Sequence, residues 1–108
     1  MKPVELTDPN FENEVLKSST PVLVDFWGPQ CRPCLALMPA VDEIEKNNAG
    51  KLKVGKLNAT QNRMLCARLK VLSLPTYLFY KGGVETNRMT GESINKEGLT
   101  KAVDAFLA

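Results

Sequence analysis

Two of the chain's three cysteines, Cys31 and Cys34, stand at i and i+3 with Arg32-Pro33 between them. The β-branched run Pro21-Val22-Leu23-Val24-Asp25-Phe26-Trp27 precedes the pair, and a run with helical spacing follows it. Cysteines so spaced at the start of a helix can form a disulfide without large strain. The first sulfur lies near the helix's N-terminal amides, whose partial positive charge favours thiolate over thiol. The thiolate is the nucleophile of disulfide exchange. Pro33 suits the first helical turn, where its missing N–H is not needed, and it stiffens the loop between the sulfurs. Arg32 sets a cation beside both sulfurs and should lower the thiolate pKa further. Cys34, one turn in and shielded, can resolve a mixed disulfide formed at Cys31. A pair of inert cysteines on a core helix is the bland reading, and the position at a strand-to-helix junction argues against it.

Two further residues could take part. Asp25 is a charge inside an apolar run, which is expensive unless it is paired or functional. The bland alternative is a satisfied polar group at a strand end. Lys56 sits in a second apolar run and reads alone as a solvated lysine. The third cysteine, Cys66, reads as a small buried hydrophobe. The chain has no histidine. That excludes His-activated nucleophiles and Cys-His zinc sites.

The elements that must hold these residues follow from patterning. A chain of 108 residues suits one domain, 1–108, with a real core. Val4 to Leu6 reads as an edge strand. Asp8 reads as an N-cap with Pro9 at the first helical position, followed by an apolar face of Phe11, Val15 and Leu16. Val22 to Trp27 reads as a buried strand. A helix from Cys31 or Arg32 to about Asn47 carries Cys34, Leu37, Met38, Val41 and Ile44 on one face, and Asp42 and Lys46 as an i,i+4 pair on the other. Pro39 should interrupt and bend it. Leu52 to Leu57 is the next strand. Thr60 or Asn62 caps a short helix through Leu69, and Val71 to Thr76 leads into the strand Tyr77 to Tyr80. Lys81-Gly82-Gly83-Val84 is a hairpin turn, so Val84 to Met89 runs antiparallel. Ser93 or Asn95 caps a last helix with Leu99, Ala102, Val103 and Phe106 on its face. The expected fold class is α/β, with a central mixed sheet of about five strands flanked by about four helices.

The chain resembles a thioredoxin from end to end. Val24-Asp25-Phe26-Trp27 with Cys31-x-Pro33-Cys34 and Pro39 is similar to the family's active-site stretch. Lys56-Leu57-Asn58 resembles its third-strand segment, Leu74-Pro75-Thr76 its cis-proline loop, and Lys81-Gly82-Gly83 with Gly91 its closing hairpin. The resemblance implies roles. Cys31 attacks and Cys34 resolves. Asp25, buried beneath Cys34, exchanges its proton, with Lys56 as charge partner. Pro75 is cis and packs against the sulfurs, and the backbone at Leu74 pairs with an extended substrate. Trp27 packs beside the motif, and Gly91 leaves room for substrate. The chain departs from the usual Trp-Cys-Gly-Pro-Cys-Lys at Gln30, Arg32 and Leu35. Thr60 stands where an acidic residue is common and Arg63 where a proline is common.

The resulting expectation is a protein dithiol–disulfide oxidoreductase. It works without a cofactor beyond a redox-active Cys31–Cys34 disulfide and is recycled by a thioredoxin reductase, with disulfide-containing proteins as substrates. The alternative keeps the chemistry but runs it at a more oxidising potential, as an oxidase, an isomerase or the servant of one partner. A metal module is disfavoured, since Cys31, Cys34 and Cys66 supply at most three ligands. The formal net charge of +2 is too small to indicate nucleic acid, and no apolar run is long enough to span a membrane. The first eight residues lack a signal-peptide apolar core. A cytoplasmic monomer is expected.

Overall fold

A computed structural model describes residues 3–108. The strands are β1 (Val4–Leu6), β2 (Val22–Trp27), β3 (Lys53–Asn58), β4 (Thr76–Lys81) and β5 (Val84–Thr90). The α-helices are α1 (Asp8–Phe11, continuing as a π-helix over Glu12–Leu16), α2 (Arg32–Asn47), α3 (Arg63–Arg68) and α4 (Lys96–Leu107). The strands form one five-stranded sheet in the order β1-β3-β2-β4-β5. β1, β3 and β2 pair parallel, and β4 pairs antiparallel with both β2 and β5. This is the mixed α/β sheet expected from the alternation of strands and helices.

Side chains alternate across β2 and divide the core in two. Val22, Val24 and Phe26 face one side, with Leu6, Phe11, Val15, Leu57 and Leu65. Leu23 faces the other, with Leu37, Val41 and Ile44 of α2, Tyr77 and Phe79 of β4, and Leu99 and Val103 of α4. Asp25 follows Leu23 by two residues, so period two sends it to the side that α2 covers.

Local signals differ from expectation by small steps. The cap of α1 is Thr7, not Asp8. Thr7 Oγ1 accepts from the Asn10 amide at 3.3 Å while Asn10 Oδ1 accepts from the Thr7 amide at 2.7 Å. This reciprocal capping box satisfies two amides and outcompetes a single Asp cap. Leu16 is exposed rather than on the buried face, because the π-helical turn shifts the spacing. Leu52 is buried but precedes β3. Asn62 holds the cap position of α3 without capping it. Its side chain instead accepts from the Asp8 amide at 2.9 Å and donates to the Asn58 carbonyl at 3.0 Å. Asn95, not Ser93, caps α4, accepting from the Gly98 amide at 2.7 Å. Pro39 lies within an α2 that continues to Asn47, and it is exposed, so the missing hydrogen bond falls on the solvent side. In the β4–β5 hairpin both Gly82 and Gly83 have positive φ, 61° and 80°. A two-residue turn matching strand twist requires this.

Candidate active site

The site gathers where β2 ends. The carbonyl of Gly28 accepts from the Cys31 amide at 3.0 Å, turning the chain into α2. Cys31 is the N-cap of α2, and its Sγ accepts from the Cys34 amide at 3.2 Å. Cys31 and Cys34 are joined in a disulfide, with Cα atoms 5.3 Å apart. The two sulfurs are not equivalent. Cys31 is half-buried at the surface, while Cys34 is 0 % exposed. A nucleophile must be reachable and a resolving thiol need not be. Pro33 lies in the first turn of α2, and Arg32 is exposed beside it.

A second loop completes the site. The Leu74–Pro75 peptide is cis. Leu74 reaches the first loop, since a Cβ on Gly28 would lie 3.2 Å from Leu74 Cδ1. Thr76 pairs with Phe26 across β4–β2, so the turn before β4 stands beside the end of β2. Trp27, half-buried, is the last residue of β2, opposite Asn58. The Gly91 amide donates to the Pro75 carbonyl at 3.0 Å, which brings Gly91 to the cis peptide.

Some supports of this loop were not legible in the sequence. Thr76 Oγ1 donates to the Ser73 carbonyl at 2.7 Å, and Thr90 Oγ1 lies 2.7 Å from Thr76 Oγ1 and 3.0 Å from Ser73 Oγ. Arg88 binds Glu85 through two bonds of 2.8 and 2.9 Å and donates to the Leu69 and Lys70 carbonyls at 2.9 Å. That ties the segment after α3 to β5. These contacts join distant parts of the chain, and Thr and Arg on a half-exposed strand give no sign of them.

One charged side chain on β2 is fully buried. Asp25 is 0 % exposed, and among the described residues neither carboxylate oxygen has a hydrogen-bonding partner. Burial pushes its pKa up to about 7, against a downward pull from Lys56 and a smaller push from Asp42. Lys56 stands opposite Asp25 in the sheet register. Its ammonium nevertheless bonds Asp42 Oδ1 at 2.7 Å. The resemblance implied an Asp25–Lys56 charge pair, and the contact observed is Lys56–Asp42. Asp42 likewise meets Lys56 of β3 rather than Lys46 on its own helix. The physical reason is desolvation: Asp42 is 57 % exposed, so Lys56 can pair there while keeping its head near water.

Asp42→Asn should therefore release Lys56 and remove a negative charge from the neighbourhood of Asp25. The Asp25 midpoint should fall from about 7 by roughly half to one pH unit. Carbon NMR of the labelled Asp25 carboxyl measures it. An unchanged or raised midpoint would contradict this picture of the charges.

Cys66 is buried on α3, outside the disulfide, and burial raises its thiol pKa. It lines a shallow groove of about 380 Å³ with Thr60, Arg63, Leu72 and Leu74. Leu72, on the groove, is 89 % exposed. The described residues contain no group of three or more His, Cys, Asp or Glu arranged to hold a metal.

A family model described as Thioredoxin matches residues 2–105. The chain belongs to the thioredoxin family. It is 39 % identical over 103 residues to thioredoxin 1 of a Nostoc species, covering 95 % of both chains. It is 38 % identical to the thioredoxin of a Synechocystis species, again covering 95 % of each. It is 42 % identical over 103 residues to the thioredoxin of Acetoanaerobium sticklandii, covering 95 % of this chain and 98 % of the relative. The fold described above is the thioredoxin fold, and the chain is a thiol–disulfide oxidoreductase that works through its Cys31–Cys34 pair.

Proposed function

We propose that this thioredoxin reduces protein disulfides, with Cys31 as attacking thiolate, Cys34 as resolving thiol and Asp25 as the group that takes the Cys34 proton. The observation that carries this assignment is the asymmetry of the pair: Cys31 is reachable at a helix N-terminus while Cys34 is sealed. In the reduced protein, the Cys31 thiolate attacks one sulfur of a substrate disulfide. A Cys31–substrate disulfide forms, and the other substrate sulfur leaves as a thiolate and is protonated. Cys34 gives its proton to the Asp25 carboxylate and attacks Cys31. The internal disulfide closes and the second substrate thiol departs. Two electrons pass from the cysteine pair to the substrate, and a thioredoxin reductase restores them.

An Asp25 titrating near pH 7 is matched to accepting and releasing a proton at neutral pH. Leu74, Pro75, Gly91 and Trp27 form the surface for an extended substrate segment, and Pro33 keeps the loop between the sulfurs stiff. No cofactor beyond the disulfide is needed. One sheet with a core layer on each face supports a single domain, which acts in this reading as a monomer. Among the described residues no helix is long and apolar enough to cross a membrane. A free Cys66 in a chain with a reactive pair fits a reducing compartment, the cytoplasm.

The test is insulin reduction with NADPH and a bacterial thioredoxin reductase, or with dithiothreitol as electron source. Turbidity should develop much faster than with reductant alone, and no acceleration from either source would overturn the reading. Arg32 favours the reduced, thiolate form. The potential should be less negative than the about −270 mV of an ordinary thioredoxin. Arg32→Gly should make it more negative by on the order of 10–20 mV, because an exposed charge pair contributes little. Equilibration with glutathione reads both values, and a wild-type potential at or below the ordinary one sinks this prediction.

A further inference from the structure

Among the described residues, three buried side-chain atoms have no hydrogen-bonding partner: Oδ1 and Oδ2 of Asp25, and Oη of Tyr77. They belong to neighbours. Tyr77 of β4 stands opposite Asp25 of β2 in the antiparallel register, so both side chains project from the same face of the sheet. Both residues are 0 % exposed. The two groups are complementary, since a phenol offers a proton and a carboxylate offers only acceptors. Leaving such groups unsatisfied in a dry interior is costly, and pairing them removes the cost on both sides.

We propose that Tyr77 is a positioning residue for the proton on Asp25, its hydroxyl donating toward the Asp25 carboxylate through internal water. The inference rests on the reading of Asp25 as the proton-exchanging group. The charged groups that act on Asp25 are Lys56 from β3 and Asp42 from α2. The buried residues of α4 on this face, Leu99 and Val103, carry no charge. Lys56 is committed to Asp42, so Tyr77 is the donor that faces Asp25 from within the apolar layer. Burial and the nearby Asp25 push the Tyr77 phenol well above its ordinary value, so it keeps its proton and stays a donor through the neutral range. A donor of this kind stabilises the ionised carboxylate and offsets part of its burial.

Tyr80 supplies the control. It is the chain's other tyrosine and lies on the same strand, but it faces the opposite core with Phe11 and Val22. Carboxyl-labelled aspartate is followed by carbon NMR across pH in the folded, oxidised protein. In Tyr77→Phe the Asp25 midpoint should rise by about one pH unit above wild type. In Tyr80→Phe it should not move. In Tyr80→Phe protein grown with 3-fluorotyrosine, a stronger donor at Tyr77, the midpoint should fall. This arm stands even if Tyr77→Phe does not fold. Equal midpoints in wild type and folded Tyr77→Phe would overturn the proposal, as would equal shifts in both phenylalanine variants or no response to fluorination. The titration does not depend on activity. A slow Cys34 step in Asp25→Asn tests the parent reading separately, and its absence would remove the proton role while leaving the Asp25–Tyr77 link standing.

Discussion

Serine in place of Cys31 should bring protein-disulfide reduction down to the background of the reductant alone, a loss on the order of a thousandfold or more. A hydroxyl at this position is not ionised near neutrality and cannot form the mixed disulfide on which exchange depends. The fold should survive, because Cys31 is half-buried at the head of α2 and contributes little to the core. Cys34→Ser should behave differently. Its Cys31 still attacks, but nothing resolves the product, so the protein reacts once and stops. Cys66→Ser should keep full activity, since Cys66 lies outside the disulfide on α3. Insulin turbidity with all three variants checks the pattern. Activity in Cys31→Ser, or its loss in folded Cys66→Ser, would refute the assignment of the nucleophile.

Asp25→Asn should make the protein more stable and slower. In the unfolded chain the Asp25 carboxyl titrates at its ordinary value near 3.8, and in the folded protein near 7. Between these values the folded state holds a proton that the unfolded state has released. Stability is therefore full below about pH 4, falls as pH rises through 7, and stays low above. At about 1.4 kcal/mol per pH unit the loss at pH 8 is about 4 kcal/mol. Asparagine cannot ionise and should recover most of it, raising Tm by about 15 °C at pH 8 and by little at pH 4. Urea unfolding at both pH values tests this, and equal stabilities of the two proteins at pH 8 would contradict the buried, unpaired carboxylate. The cost is chemical. Without the proton acceptor, closure of the internal disulfide near pH 7 should slow by roughly tenfold to a hundredfold, the lower end of what general bases contribute.

How much of this was legible depended on how local each signal is. The strand Val22–Trp27, the helix starting at Arg32 and the Lys81–Val84 hairpin follow from periodicity and turn chemistry, and the structure keeps them with small shifts of boundary. The cap of α1 moved from Asp8 to Thr7 because a reciprocal pair with Asn10 wins over one side chain. The anomaly of Asp25 was visible as a charge in an apolar run, and the structure shows how severe it is. Of the charges acting on it, Lys56 was implied by the resemblance and Asp42 was not visible. Lys56 aligns with Asp25 in the register yet reaches Asp42, a choice decided by access to water rather than by sequence spacing. Tyr77 reads as one aromatic in an aromatic strand. Only strand register reveals that its hydroxyl faces the same buried compartment as Asp25. The Thr76–Thr90 contact and the Arg88 clamp are equally nonlocal.

The central claim is that Cys31 is the sulfur that reaches the substrate. Reduced Cys34→Ser protein, mixed with a peptide disulfide and digested without reductant, tests it by mass spectrometry. One peptide should be attached per chain, at Cys31. Attachment at Cys66, or no stable adduct at all, would contradict the claim.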